Sequence, residues 1–196
     1  MNKYKIIDIA KDNNGYITTE FITKQGIAKM FLTQLVREKQ LMRIDRGLYM
    51  LSDYIEDKYF KYQNSNSSAI YSLETALYFH NLSDRIPIVL DMFVPNNYGG
   101  NLIKNENIRL TYISKDILEL GLIEMESPMG QKIKTYDIDK TICDIIKYKS
   151  KIDIEIYSNA LKNYVKSKNK NITKLMKYAK DMKIEKRVRD IMEVLL

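Results

Sequence analysis

The spacing of apolar residues between positions 18 and 39 is typical of two short helices separated by a turn. Thr18 can satisfy a free backbone N–H at the start of the first helix, and Gly26 allows a tight turn after it. The second helix is predicted over residues 27–39. Its buried face is expected to hold Ile27, Phe31, Leu32, Leu35 and Val36. Its opposite face carries Lys29, Thr33, Gln34 and Arg37.

Residues 41–51 alternate in the manner of strands on either side of Arg46 and Gly47, and glycine accepts the positive φ that a turn there requires. Two helices followed by such a ribbon predict a winged helix-turn-helix, whose second helix enters the major groove of DNA. Arg43 and Arg46 are expected to contact phosphates of the DNA backbone. Gln34 can form two hydrogen bonds to adenine, and Lys29 or Arg37 can bind guanine. The predicted DNA-binding residues are Lys29, Thr33, Gln34, Arg37, Arg43 and Arg46. The alternative is a polar helix face that is simply solvated.

The whole chain is predicted to be an α+β protein with two domains. Residues 1–55 are expected to form the winged helix-turn-helix domain, beginning with a helix over 3–12 that turns Tyr4 inward. Residues 56–196 are expected to form an α+β domain with a helical C-terminal part. Residues 54–62 are expected to be a connector. Strands are predicted near 86–94, 108–114, 121–125 and 132–137. Helices are predicted near 72–80, 140–149, 154–168, 172–182 and 185–195.

Composition and charge narrow the class of protein. Of the 196 residues, 45% are hydrophobic, and no apolar run approaches the roughly 18 residues of a membrane span. The first residues lack the apolar core of a signal peptide, and a single cysteine fits a reducing compartment, so a cytoplasmic location is expected. The net charge is +7, distributed as +4 over residues 1–51, −3 over 52–150 and +6 over 151–196. This asymmetry favours polyanion-facing surfaces near both ends.

Signatures of catalysis are sparse. His80 and Cys143 are the only histidine and cysteine, they lie far apart in sequence, and structural roles are expected for both. No catalytic residue, metal site or cofactor is predicted. The weaker alternative is a magnesium-dependent nuclease that uses Asp137, Asp139 and Lys140. The same acidic residues equally suit the start of a helix.

Lysines near the C-terminus recur at helical spacing and form a candidate second basic surface. They are Lys162, Lys166, Lys170, Lys174 and Lys177. Their alignment predicts a positive stripe for DNA or another anion. The alternative is a solvated helical face in a lysine-rich chain.

Three stretches of the sequence resemble the AbiEi family of antitoxins, the DNA-binding half of type IV toxin–antitoxin systems. One is Leu35–Leu51, with its Arg-Gly-x-Tyr element. The second is Ser72–Pro87, with a helix, a histidine and a Leu-Ser-Asp turn. The third is Asp137–Val165, with a Thr-x-x-Asp helix.

This resemblance implies a non-enzymatic antitoxin of an abortive-infection (phage-defence) system. Such a protein represses its own operon by binding inverted repeats in the promoter through the winged domain. Its C-terminal domain antagonises a nucleotidyltransferase toxin, in general without a stable complex, and no membrane partner is implied. The alternative function is a stand-alone winged-helix regulator whose larger domain serves ligand sensing or dimerisation.

Overall fold

The N-terminal part of the chain forms three helices and a three-stranded antiparallel sheet in a computed structural model that describes residues 3–196. In chain order the elements are α1 (Tyr4–Asp12), β1 (Tyr16–Thr18), α2 (Thr19–Lys24), α3 (Met30–Arg37), β2 (Leu41–Asp45) and β3 (Leu48–Leu51). The strand order is β1-β3-β2, so the two wing strands pair with each other and β3 also pairs with β1. The predicted winged helix-turn-helix is confirmed.

Helix α1 packs on this sheet through Ile6 and Ala10, which are fully buried. The prediction that Tyr4 faces inward is wrong, because Tyr4 is the first residue of the helix and its side chain is 58% exposed. The core of this region combines apolar residues from every element, namely Ile6, Ala10, Ile17, Ile22, Ile27, Leu32, Leu35, Leu41 and Leu51.

Residues 54–62 are not the predicted connector, since helix α4 (Lys58–Asn64) begins within them. The buried carboxylate of Asp57 caps this helix by accepting from the backbone N–H groups of Tyr59 and Phe60. The ring of Phe60 stacks edge-on against Tyr16, with ring centroids 4.9 Å apart. Helix α4 therefore extends the winged fold.

The described chain divides into two compact units that differ from the predicted domains. The first unit comprises Met1–Ser65 and Glu126–Ile133, and the second comprises Asn66–Met125 and Lys134–Leu196. A boundary after residue 55 would separate Asp57 from Tyr16, whose hydroxyl oxygen accepts a hydrogen bond from the Asp57 backbone N–H at 2.6 Å. A second partner of Asp57 is Ser127, which also belongs to the first unit and whose hydroxyl donates to the Asp57 carboxylate.

The remaining elements in chain order are β4 (Ile70–Tyr71), α5 (Leu73–Phe79), β5 (Leu90–Pro95), β6 (Ile108–Ile113), α6 (Lys115–Glu119), β7 (Leu122–Glu126), β8 (Lys132–Tyr136), α7 (Ile138–Lys147), α8 (Ile154–Lys166), α9 (Ile172–Asp181) and α10 (Glu185–Leu195). Strand β5 is the centre of a three-stranded sheet and pairs antiparallel with β4 and parallel with β6. Strands β7 and β8 form a separate two-stranded sheet. The α+β class and the C-terminal helices are as predicted.

The main core of the second unit lies around α7, which buries eight consecutive residues from Asp139 to Ile146. Strand β5 starts four residues later than the sequence pattern suggested, and Ile86 and Ile88 before it are 61% and 87% exposed. None of the helices in the described residues is long and apolar enough to cross a membrane.

Candidate nucleic-acid interface

The recognition face consists of Lys29, Thr33, Gln34 and Arg37, and all four side chains are exposed. Helix α3 presents them because Leu32 and Leu35, on its other side, are buried in the core. The helix is shorter than predicted. Lys29 is its N-cap residue and Arg37 its last residue.

The turn before α3 follows from two local features. The Thr18 hydroxyl accepts a hydrogen bond from the Phe21 backbone N–H at 3.1 Å, which caps α2. Gly26 then takes a φ of +69°, a conformation that strains other residues, and Ile27 returns to the core. The position of α3 relative to α2 is therefore set by the cap, the glycine and the buried isoleucine.

The wing is residues 41–51, and its tip is the pair Arg46 and Gly47, with Gly47 at a φ of +74°. Asp45 holds this tip, because its carboxylate accepts from the Arg46 backbone N–H at 2.6 Å and from the Ser65 hydroxyl at 2.7 Å. The Arg43 side chain donates to the Asp45 carbonyl at 3.3 Å. Asp45 was not among the residues predicted from the sequence, although an aspartate at the start of a turn is a common turn signal.

The electrostatics of this surface favour an anionic partner. Lys29, Arg37, Arg43 and Arg46 form no ion pair with any residue in the described part of the chain. Uncompensated cations on one surface attract polyanions such as the phosphate backbone. Glu38, which follows Arg37 in the chain, is acidic, and Lys3 forms an ion pair with it at 2.7 Å.

The candidate second basic surface is less regular than its spacing suggested. Helix α8 ends at Lys166, so Lys170 lies beyond the helix, where its ammonium group donates to the Ser167 carbonyl at 3.3 Å. Lys174 is ion-paired with Asp137 at 2.9 Å. The five lysines therefore do not form one continuous stripe of free charge.

The residues of the nuclease alternative have internal partners. Asp137 caps α7 and accepts from the Tyr178 hydroxyl at 2.7 Å, while Asp139 accepts from the Tyr164 hydroxyl at 2.8 Å. Lys140 is fully buried and its ammonium group lies 2.6 Å from Asp144. This arrangement leaves no open site for magnesium and substrate at these residues. No group of three or more metal-binding side chains occurs in residues 3–196.

The single histidine and the single cysteine have structural contacts. His80 Nε2 donates to the Tyr136 carbonyl at 2.7 Å, and burial lowers the pKa of its imidazole. The Cys143 thiol donates to the Leu175 carbonyl at 3.4 Å, and burial raises its pKa, which makes the reactive thiolate rare.

Comparison with protein families identifies the N-terminal segment. Residues 4–52 match the family described as transcriptional regulator, AbiEi antitoxin. This segment is therefore similar to the regulator domain of AbiEi antitoxins. The match covers α1–α3 and the wing, so it confirms the resemblance drawn from Leu35–Leu51. The AbiEi resemblance of Ser72–Pro87 and Asp137–Val165 lies outside the matched residues and stays a prediction.

Two further comparisons were made with the whole chain, one with solved structures and one with curated proteins. The crystal structure of the RV2827C protein from Mycobacterium tuberculosis is similar to this chain with a TM-score of 0.60. The similarity covers 90% of this chain and 70% of that one, at 12% sequence identity, and therefore concerns the fold alone. No curated protein shows significant sequence similarity to this chain.

Proposed function

We propose that this protein is the antitoxin and autorepressor of a type IV toxin–antitoxin operon. The observation that carries the proposal is the domain similar to AbiEi regulators, whose α3 and wing present four cations that form no ion pair within residues 3–196. In this proposal α3 lies in the major groove of an inverted repeat in the promoter, and the wing contacts the neighbouring phosphates. Two copies of the chain occupy the two halves of the repeat.

The residues of the wing and of α3 have different roles in this proposal. Arg43 and Arg46 on the wing contact phosphates, which supply affinity without sequence information. Gln34 contacts a base edge, and Lys29, Thr33 and Arg37 contact either bases or the flanking backbone. We expect Arg46→Ala to weaken binding to all sequences alike, and Gln34→Ala to relax the preference at one base pair.

The antitoxic activity is assigned to the second unit, on the basis of the family resemblance. It antagonises a nucleotidyltransferase toxin encoded beside it, and no catalysis by this chain is required. The Lys162 and Lys166 face of α8 is a candidate surface for this activity, because both lysines are exposed and form no ion pair within the described residues. Lys174 contributes less, since Asp137 neutralises it.

A reporter and a growth assay test the two halves of this proposal. The chain should repress a reporter driven by its own promoter, and the double variant Arg43→Ala/Arg46→Ala should not. Cells that express the neighbouring gene should be poisoned and then rescued by this chain, including by the double variant. Repression without any poisoning or rescue would favour a stand-alone regulator, and absence of repression would refute autoregulation.

A further inference from the structure

Gln34 on the recognition face is held by a chain of contacts. Its side-chain amide nitrogen donates to Glu38 Oε1 at 2.9 Å, one helical turn further along the chain. Lys3, which precedes α1, donates to both carboxylate oxygens of Glu38 at 2.7 and 2.8 Å. The lysine fixes the carboxylate through both of its oxygens, and its hydrogen bond lowers the pKa of Glu38. Glu38 is therefore an ionised, anchored acceptor for Gln34.

This contact determines which way the amide of Gln34 points. An ionised carboxylate only accepts hydrogen bonds, so the amide nitrogen of Gln34 must face Glu38 and its oxygen must face away. One of the two amide N–H groups is used by Glu38. The carbonyl oxygen and the second N–H remain available as an adjacent acceptor and donor. Adenine complements this pair with its N6–H donor and N7 acceptor, whereas guanine offers two acceptors.

We propose that Glu38 is a positioning residue that makes Gln34 select adenine in the operator, with Lys3 as its anchor. The inference rests on the proposed function, because it requires α3 to lie in the major groove. Without Glu38 the amide rotates freely, so ordering it against a base costs conformational entropy and both orientations of the amide compete.

A positioning role for Glu38 changes affinity and base preference in opposite directions, which a structural or purely electrostatic role would not do. Glu38 is negatively charged and lies beside a surface that would approach phosphates, so its removal should raise affinity for DNA of any sequence. Its removal should also lower the preference for adenine at one position. Higher affinity combined with lower selectivity distinguishes positioning from loss of folding, which would lower both.

The experiment is selection from a randomised duplex library by the full chain and its variants, followed by binding measurements on the enriched sequence and its single-base changes. The variants are Gln34→Ala, Glu38→Ala and Lys3→Met. The matched control is Glu20→Ala on α2, which removes the same charge and breaks an ion pair with Lys24 of the same 2.7 Å length. The partner of Glu20 is Lys24 of the same helix, which is not part of the recognition face. Thermal unfolding of each variant verifies that it is folded.

We expect wild type to prefer adenine on the order of tenfold or more at the position where Gln34→Ala shows no preference. Glu38→Ala should lose most of that preference at the same position alone, Lys3→Met should lose less, and Glu20→Ala should retain it. Retention of the preference by Glu38→Ala, or wild-type selection of another base there, would overturn the proposal. If the wild-type chain enriches no sequence, the proposed DNA-binding function is refuted. If it enriches a sequence but Glu38→Ala selects the same bases, only the positioning role of Glu38 is refuted.

Discussion

Charged residues have opposite environments in helix α3 of the first unit and helix α7 of the second. In α3 the basic side chain of Arg37 is exposed and has no ion-pair partner in the described chain. In α7 the ammonium group of Lys140 is fully buried and lies 2.6 Å from the carboxylate of Asp144. The comparison separates charge that is available to a partner from charge that is used within the fold. It also explains why similar polar residues support a binding proposal in one helix and only a structural role in the other.

Aromatic rings also contact the buried ion pair of Lys140 and Asp144 in α7. The Lys140 ammonium group lies 4.3 Å from the centroid of the Tyr136 ring and 5.6 Å from that of Phe93, both distances typical of cation–π contacts. Burial nevertheless raises the pKa of Asp144 to about 6, and one of its carboxylate oxygens has no hydrogen-bond partner among the described residues. Each buried charge is therefore compensated only while the other member of the pair is present.

Breaking this buried ion pair should therefore reduce the stability of the fold more than any other change considered below. Lys140→Met should lower the free energy of unfolding by about 3–5 kcal/mol, because it leaves the Asp144 carboxylate buried without a counter-ion. Urea unfolding followed by circular dichroism measures this loss.

The double variant Lys140→Met/Asp144→Leu is the control for this prediction. It removes both charges and should recover most of the lost stability, since a buried ion pair can often be replaced by apolar residues at little cost. A double variant as unstable as the single variant would show that Lys140 stabilises the fold through something other than the pair.

The next effect concerns Asp57, which joins α4, Tyr16 and Ser127 within the first unit. Asp57→Ala should cost about 2–4 kcal/mol, because it removes a helix cap and leaves the buried Ser127 hydroxyl without this acceptor. Asp153→Ala is a matched control, since Asp153 caps α8 with the same two backbone hydrogen bonds but is exposed. It should cost only about 1 kcal/mol. Equal losses in the two variants would refute a special role for burial at Asp57.

A smaller effect is expected on DNA affinity when charges are removed from either of the two basic surfaces. Arg43→Ala/Arg46→Ala should weaken DNA binding at low salt by about tenfold or more, because each removed cation loses about one phosphate contact. Lys162→Ala/Lys166→Ala removes the same number of charges from α8 and should leave operator binding nearly unchanged. Fluorescence anisotropy with a labelled promoter fragment measures both. Similar losses would place the lysines of α8 in the DNA interface.

The sequence was sufficient for elements whose signals are local. The cap at Thr18, the glycines at 26 and 47, and the apolar spacing of the C-terminal helices each depend on a few neighbouring residues, and the corresponding elements were predicted. Helix α4 was missed because its aromatic and polar residues lack a clear apolar stripe. The Asp57 cap, which is a local signal, was overlooked there.

Features that depend on distant residues could not be predicted. The first unit includes residues 126–133, where Gln131 donates to the Asn13 carbonyl at 3.0 Å, and nothing near either residue indicates the other. The ion pair of Lys174 with Asp137 likewise joins residues that are distant in sequence. It removes one lysine from the predicted stripe of free charge. For the interface, spacing identified the exposed side of α3, but the contact of Gln34 with Glu38 and Lys3 required the structure.

We propose that the N-terminal domain binds DNA through the cations of α3 and the wing. The most direct test of this proposal is the salt dependence of binding to the chain's own promoter fragment, measured for wild type and for Arg46→Ala. If six or more phosphates are neutralised, affinity should fall on the order of a thousandfold between about 50 and about 200 mM salt. The logarithmic slope should be smaller by about one for the variant. A flat salt response in wild type, or an unchanged slope in the variant, would contradict the account.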